Sequence, residues 1–299
     1  MLVSHHLIDM KSTRAKPNLT IRQLELMAYD IRQDVIRALV RAKSGHSAGP
    51  LGMADVMTAL YFRLLNVDPK QPEWAERDRL VLSNAHICPV LYAALARRGF
   101  CSRQQFLTSL RTLGSPFQGH SNTHFNMGIE TCGGPLGQGL SQAVGMALAA
   151  RMDGASWHTY GLLSDGELDE GQTWEAAMLG AKLRLHNLTA IVDRNNIQID
   201  GFTETIMPLE PLADKWRAWG WQVIEVDGHN MRHIIDAVNE AKTIYERPTV
   251  LIMHTIPGKG VSFMEQRFEW HGKPPNEEEA RVALHELRTL AGQIRSEQE

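Results

Sequence analysis

Asp165-Gly166 and Asn195-Asn196 stand thirty positions apart, and each pair follows closely on an apolar run. The first run is Tyr160-Gly161-Leu162-Leu163-Ser164, the second Leu188-Thr189-Ala190-Ile191-Val192. Between them, Glu170 to Leu185 carries Trp174, Ala177, Met178, Ala181 and Leu185 at helical spacing. The pattern predicts strand, helix, strand. Parallel strands joined by one crossover end on the same edge of a sheet, and open α/β sheets bind ligands at that edge. Asp165 offers a carboxylate and Asn195 an amide oxygen. Both are hard donors, suited to Mg²⁺, with Ca²⁺ as a possible substitute. A backbone carbonyl near Ile197 is a third candidate ligand. Mg²⁺ completes its octahedron with phosphate oxygens and water. Gly166 permits close approach of a phosphate, and the following helix start favours an anion. A magnesium diphosphate is the expected guest. Asp-Gly and Asn-Asn are also ordinary turn dipeptides. Each alone reads as a turn; the matched strand ends favour a site.

The chain has thirteen histidines. No HExxH pair and no Cys/His set with zinc spacing occurs. His5, His6, His124, His158, His186, His233, His254 and His285 read as surface or structural. His46, His86, His120 and His271 each lie in a Gly- or Pro-flanked loop, where histidine often does chemistry. Glu170 suits a helix start by its charge. Glu167 and Asp169 read as solvated, Ile191 and Leu136 as core or loop packing. Lys259, in Gly-Lys-Gly, is either a surface lysine or a group that helps close the site.

The elements that must position these residues follow from periodicity. Residues 1–19 form a polar lead, expected to be loosely held. Thr20 to Lys43 is helical, with Thr20 as N-cap. Ala54 to Leu65, Pro89 to Arg98 and Gln138 to Met152 are further helices. Arg79 to Leu82, Trp221 to Val226 and Thr249 to Met253 are strands. Residues 112–137, rich in Gly, Pro, Ser, Thr and His, read as active-site loops. The alternation predicts an α/β fold with a doubly wound, mainly parallel sheet flanked by helices, in one domain from 20 to 299.

Composition agrees with an enzyme of this class. The 299 residues are 43% hydrophobic, enough for a sizeable core. A net charge of −3 gives no reason to expect nucleic acid or a membrane as partner. No apolar stretch is long enough to span a bilayer. The start lacks a secretion signal. Cys88, Cys101 and Cys132 form no metal or redox spacing and read as thiols in a reducing cytoplasm.

Ser164-Asp165-Gly166 through Asn195-Asn196 resembles the thiamine-diphosphate fingerprint, usually Gly-Asp-Gly followed at similar distance by Asn-Asn. Seven further segments resemble transketolase, in the family's order: Ser44-Gly45-His46, Gly49-Pro50-Leu51-Gly52, Leu82 to His86, Gln118-Gly119-His120, Gly134 to Gly139, Gly258 to Ser262 and Trp270-His271-Gly272. The resemblance runs from residue 20 to residue 285. It implies the thiamine-diphosphate-binding fold. His46, His86, His120 and His271 would line the channel between diphosphate and reacting carbon, where they bind phosphate and sugar hydroxyls and assist proton transfers. Glu170 would meet other carboxylates across a subunit boundary. His86, Gly134, Leu136, Gly166, Ile191, Asn195 and His271 would contact the cofactor. Asp165, Asn195 and Ile197 would hold the metal.

In the family, the glutamate that engages the cofactor's pyrimidine lies in a second α/β domain, followed by a third. This sequence stops after Glu299, before either. It therefore resembles the N-terminal subunit of a split transketolase that moves a two-carbon ketol unit between sugar phosphates. Its partner would be a C-terminal subunit with the pyrimidine-binding domain, assembled as two copies of each. The alternatives are a non-catalytic cofactor-binding or regulatory subunit, and half of a deoxyxylulose-phosphate-synthase-like enzyme. Ser164, Ser47-Ala48, Ala85 and Ser121 depart from the family's common residues and suit an unusual sugar phosphate.

Overall fold

The computed structural model describes residues 16–296. The expected looseness of the lead, and His5 and His6, fall largely or wholly outside that range. Five strands form one parallel sheet: β1 (Arg79–Leu82), β2 (Thr159–Ser164), β3 (Leu188–Arg194), β6 (Gln222–Asp227) and β7 (Thr249–His254). Their order is β1-β2-β3-β7-β6. β4 (Ile197–Gln198) and β5 (Gly201–Phe202) make a small antiparallel hairpin just past β3.

Successive side chains of a strand point to opposite faces, so a sheet covered on both sides is apolar at nearly every position. Tyr160, Leu162, Ile191, Leu251 and Met253 enter one core. Leu163, Ala190, Val192, Val250 and Ile252 enter the other. The first core is closed by α1 (Ile21–Ala42), α3 (Ala54–Ala59), α4 (Cys88–Arg98), α10 (Met231–Ala241) and α11 (Glu277–Ser296). The second is closed by α6 (Gln138–Met152), α7 (Gly171–Lys182) and α9 (Leu212–Ala218). Short helices α2 (Ala48–Gly52), α5 (Arg103–Ser109) and α8 (Thr203–Ile206) complete the set. The expected doubly wound sheet is present.

Local signals act as expected at α1. The Thr20 hydroxyl accepts from Gln23 N, and the Gln23 side chain accepts from Thr20 N, a reciprocal cap. Two expectations need correction. The helix predicted from Ala54 to Leu65 is α-helical only to Ala59; residues 60–64 form a wider π turn. That turn keeps Tyr61, Phe62, Leu64 and Leu65 all buried. On α7 the buried face is Thr173, Ala176, Ala177 and Gly180, whereas Met178 is 41% exposed. Small residues, not the largest apolar ones, let α7 lie close to the sheet.

One buried ion pair ties α1 to α3. Arg32 donates to both Asp55 oxygens at 3.1 and 2.5 Å and to Leu51 O. His229 Nδ1 lies 2.8 Å from the same carboxylate, and its Nε2 accepts from Ile256 N. Burial pushes the Asp55 carboxyl up, but Arg32 and His229 outweigh it and hold the group below its usual range. Arg32→Met should cost about 3–5 kcal/mol, because it strands a buried carboxylate. Urea unfolding at neutral pH measures this; a loss under about 1 kcal/mol would show that His229 alone suffices.

Candidate active site

All five strands end on one edge; there Asp165 and Asn195 follow directly on β2 and β3, and His86 follows closely on β1. β2 runs into Asp165 and β3 into Asn195, with the two strands adjacent and in register. Asp165 is fully buried. Its Oδ1 accepts from Gly166 N at 2.8 Å. Its Oδ2 accepts from Asn196 N at 2.6 Å and from Arg194 Nη1 at 3.1 Å. Asn195 accepts from Ile197 N through Oδ1 and donates through Nδ2 to Asp193. These contacts hold both predicted donors at one spot, beside the Ile197 backbone.

The electrostatics of that spot favour a cation. Burial pushes Asp165 up to about 6 and Asp193 up to about 7, and Asp193 also feels Asp165. Two buried carboxylates thus face each other's field, with Arg194 as the cation on Asp165. A hard divalent ion offsets such a cost. The donor set of carboxylate, amide oxygen and backbone carbonyl fits magnesium.

Next to it opens a cavity of about 270 Å³ lined by His46, His86, His120 and His271, together with Gly134, Leu136 and Gly166. His46 follows Gly45, whose φ of +126° is open to glycine. His86 sits in a short 3₁₀ turn leading into α4. His271 follows the turn Phe268–Trp270. The ring centres are 4.9 Å apart for His46–His86, 5.2 Å for His86–His271 and 5.5 Å for His46–His271. Residues up to 225 positions apart in sequence therefore form one cluster.

Burial lowers all four histidines. His46 falls to about 4, through burial and then the neighbouring His271, Arg111 and His120. His86 lies well below the usual histidine range for similar reasons. His120 is lowered by burial and Arg111, His271 by burial. Neutral imidazoles can accept as well as donate, as proton transfers and hydroxyl recognition require. The Nδ1 atoms of His46 and His271 and the Gln198 amide nitrogen are buried without a protein partner. Buried polar atoms of this kind call for water or a bound ligand. A pocket with free polar atoms, beside a hard-donor cation site, fits thiamine diphosphate. We expect the His46 and His86 ring resonances to stay at their neutral positions from pH 8 to pH 5.5 in NMR titrations. Midpoints near about 6.5, the unperturbed value, would refute the buried cluster.

Several expectations change. Ile191 is fully buried in mid-strand and packs in the first core, as read from the residues; it does not line the cavity, where the resemblance would put it. Its place is taken by Ile197 and Ile199, which line the cavity from the hairpin loop. Ile199 is 64% exposed. Glu167 is not solvated: it is fully buried and lines the cavity. Glu170 is the exposed one, the N-cap of α7. Glu167 lies inside the short 3₁₀ turn after β2 and points toward Ser83 and Gly137, whereas Glu170 leaves that turn in extended conformation; the sequence does not show where the turn ends. Lys259 lies between Gly258 and Gly260, both with positive φ, and does not line the cavity.

Two cations escaped the sequence reading. Arg111 donates to Ser44 Oγ and Gly119 O, and so joins the loops of His46 and His120. Arg194, 3% exposed, donates to Asp165, Thr203, Glu204 and Glu210. No local pattern flags either, since their partners are distant or on later loops.

Comparison with known proteins agrees with this geometry. Residues 24–290 match the family described as transketolase, thiamine diphosphate binding domain. A 6-deoxy-6-sulfo-D-fructose transketolase subunit from Clostridium sp. (strain MSTE9) is 45% identical over 88% of this chain and 96% of its own length. An apulose-4-phosphate transketolase subunit from Phocaeicola vulgatus is 42% identical over 89% and 94%. A transketolase structure from Pichia stipitis superposes with a TM-score of 0.81 at 30% identity, covering 93% of this chain and 46% of the other. Transketolase from Leishmania mexicana gives 0.80 at 30% identity, over 94% and 46%. The chain thus spans a little under half the length of these solved transketolases, but nearly all of the relatives named as subunits. It belongs to the transketolase family of transferases, as a subunit-type member carrying the thiamine-diphosphate-binding domain.

Proposed function

We propose that residues 20–299 form one cofactor-binding domain that, with a separate C-terminal subunit, transfers a two-carbon ketol unit between sugar phosphates. The observation that carries this reading is the four-histidine cavity beside Asp165 and Asn195. Mg²⁺, replaceable by Ca²⁺, would be held by Asp165, Asn195 and the Ile197 carbonyl, with Gly166 close to the diphosphate. When bound, thiamine diphosphate supplies the electron sink for ketol transfer. His86 and His271, with Gly134 and Leu136, would bind the cofactor. His46 and His120 would bind substrate hydroxyls and move protons. Glu170, exposed at the start of α7, would meet the neighbouring subunit.

The partner would bring the pyrimidine-binding half, in an assembly with two copies of each chain. One relative described above is named for a sugar phosphate, apulose 4-phosphate, and another for a sulfonated sugar, 6-deoxy-6-sulfo-D-fructose; these names support a specialised sugar with an anionic end as substrate. Their transketolase names also favour ketol transfer over pyruvate condensation. Among the described residues no helix is long and apolar enough to cross a membrane. The three cysteines are free, which suits the cytoplasm. The test is ¹³C NMR of a ketose phosphate incubated with an aldose phosphate, Mg²⁺, thiamine diphosphate, this chain and its C-terminal partner. Labelled two-carbon transfer supports the reading. Release of carbon dioxide in a parallel incubation with pyruvate in place of the ketose phosphate, or no transfer from any ketose phosphate, would overturn it.

A further inference from the structure

We propose that Glu167 is a positioning residue of the cofactor pocket: its buried carboxylate binds together the three chain segments that build the pocket wall. This rests on the cavity being the thiamine-diphosphate site.

Glu167 Oε1 accepts from Gly137 N at 2.7 Å and from the Ser83 hydroxyl. Its Oε2 accepts from Ser164 N at 3.1 Å. The Ser83 oxygen in turn accepts from Gly139 N at 3.0 Å. One carboxylate therefore reaches the ends of β1 and β2 and the start of α6. Each segment carries site residues close by. Ser83 lies three residues before His86, Gly137 directly follows Leu136, and Ser164 directly precedes Asp165.

Sequence leaves α6 without a cap of its own. Gly137 is its N-cap, has no side chain and holds a φ of +81°. The exposed amides of a helix start must find acceptors, and an anion there is favoured by the helix dipole. Glu167 supplies the acceptor from another element, directly to Gly137 and through Ser83 to Gly139. The contact is tight: a Cβ on Gly139 would lie 2.3 Å from Ser83 Cβ and 2.7 Å from its Cα. The wall cannot adjust without moving Ser83, and Ser83 leads to His86.

Three variants test this. Glu167→Gln keeps one acceptor but turns an amide toward Ser164 N–H; Glu167→Ala leaves all three donors without a partner; Ser83→Ala removes only the relay to Gly139. Calorimetry of thiamine diphosphate with Mg²⁺, on the complex with the C-terminal partner, should show affinity about tenfold lower for the first and about a hundredfold lower for the second, as charged hydrogen bonds imply. In the full chain without cofactor, amide exchange at Gly137 and Gly139 should quicken about tenfold or more in Glu167→Ala. Ser83→Ala should quicken Gly139 alone. Unchanged affinity and unchanged exchange in Glu167→Ala would overturn the proposal. So would exchange that rises equally across β2 and β3 together with a falling thermal midpoint, the mark of a role in general stability. If the native complex binds no thiamine diphosphate, the assignment of the cavity fails, while exchange at Gly137 and Gly139 still decides whether Glu167 holds the wall.

Discussion

This chain on its own should show ketol transfer at least about a thousandfold below that of the assembled enzyme, the scale on which missing acid–base groups slow a reaction. The cavity holds neutral histidines for hydroxyls and lies beside hard donors for a cation, but its rim is open. Leu136 and Ile199 line it and remain 37% and 64% exposed. Exposed apolar side chains at the mouth of a cleft suit a surface that another protein covers. The proposed partner closes that rim and contributes the group that engages the other end of the cofactor. Adding the C-terminal subunit to purified chain should restore transfer from ketose phosphate to aldose phosphate, in proportion to complex formed. Full turnover by the chain alone, at matched Mg²⁺ and thiamine diphosphate, would refute the split arrangement.

Asp165→Ala should weaken Mg²⁺-dependent thiamine diphosphate binding by about a hundredfold or more, equivalent to about 2.7 kcal/mol. Its carboxylate is the one fully ionisable group in the proposed donor set, and Mg²⁺ depends on charged oxygen. The fold should survive. Arg194 retains Glu204, Glu210 and Thr203 as partners, so no buried cation is stranded. Burial already works against the Asp165 charge, so its removal relieves a cost as well as losing contacts. Asn195→Ala should have a smaller effect on binding and also loosen Ile197 and Asp193, its present hydrogen-bond partners. Calorimetry with Mg²⁺ and thiamine diphosphate on the complex, alongside circular dichroism, separates binding from folding. Equal affinity in both variants and the native protein would remove the metal assignment.

Much of this molecule is legible without coordinates, for a physical reason. β2, α7 and β3 follow from apolar runs and a helical stripe, and a parallel pair with one crossover must present both strand ends together. Asp165 and Asn195 could therefore be placed on one edge from spacing alone. The capping pattern at Thr20 acts within four residues and is equally readable. The histidine loops were singled out by their Gly and Pro neighbours, and by resemblance. What local pattern cannot carry is the angle and distance between separate segments. It assigned Glu167 to solvent, whereas the turn after β2 buries it; Glu170, read as a helix-start carboxylate, does stand at the start of α7. It read Ile191 as core, where that side chain does lie; the resemblance offered it as a cofactor contact, but the residues that line the cavity there are Ile197 and Ile199. It put Met178 on the buried stripe of α7, although close packing admits only the smaller residues there. The sequence by itself determined the sheet, the edge and the chemistry of the donors, because those depend on periodicity and residue type. Only the tertiary structure decided that His46, His86 and His271 share one cluster, that Arg194 grips Asp165 and that Glu167 joins three loops, because each of those contacts is set by packing between distant parts of the chain.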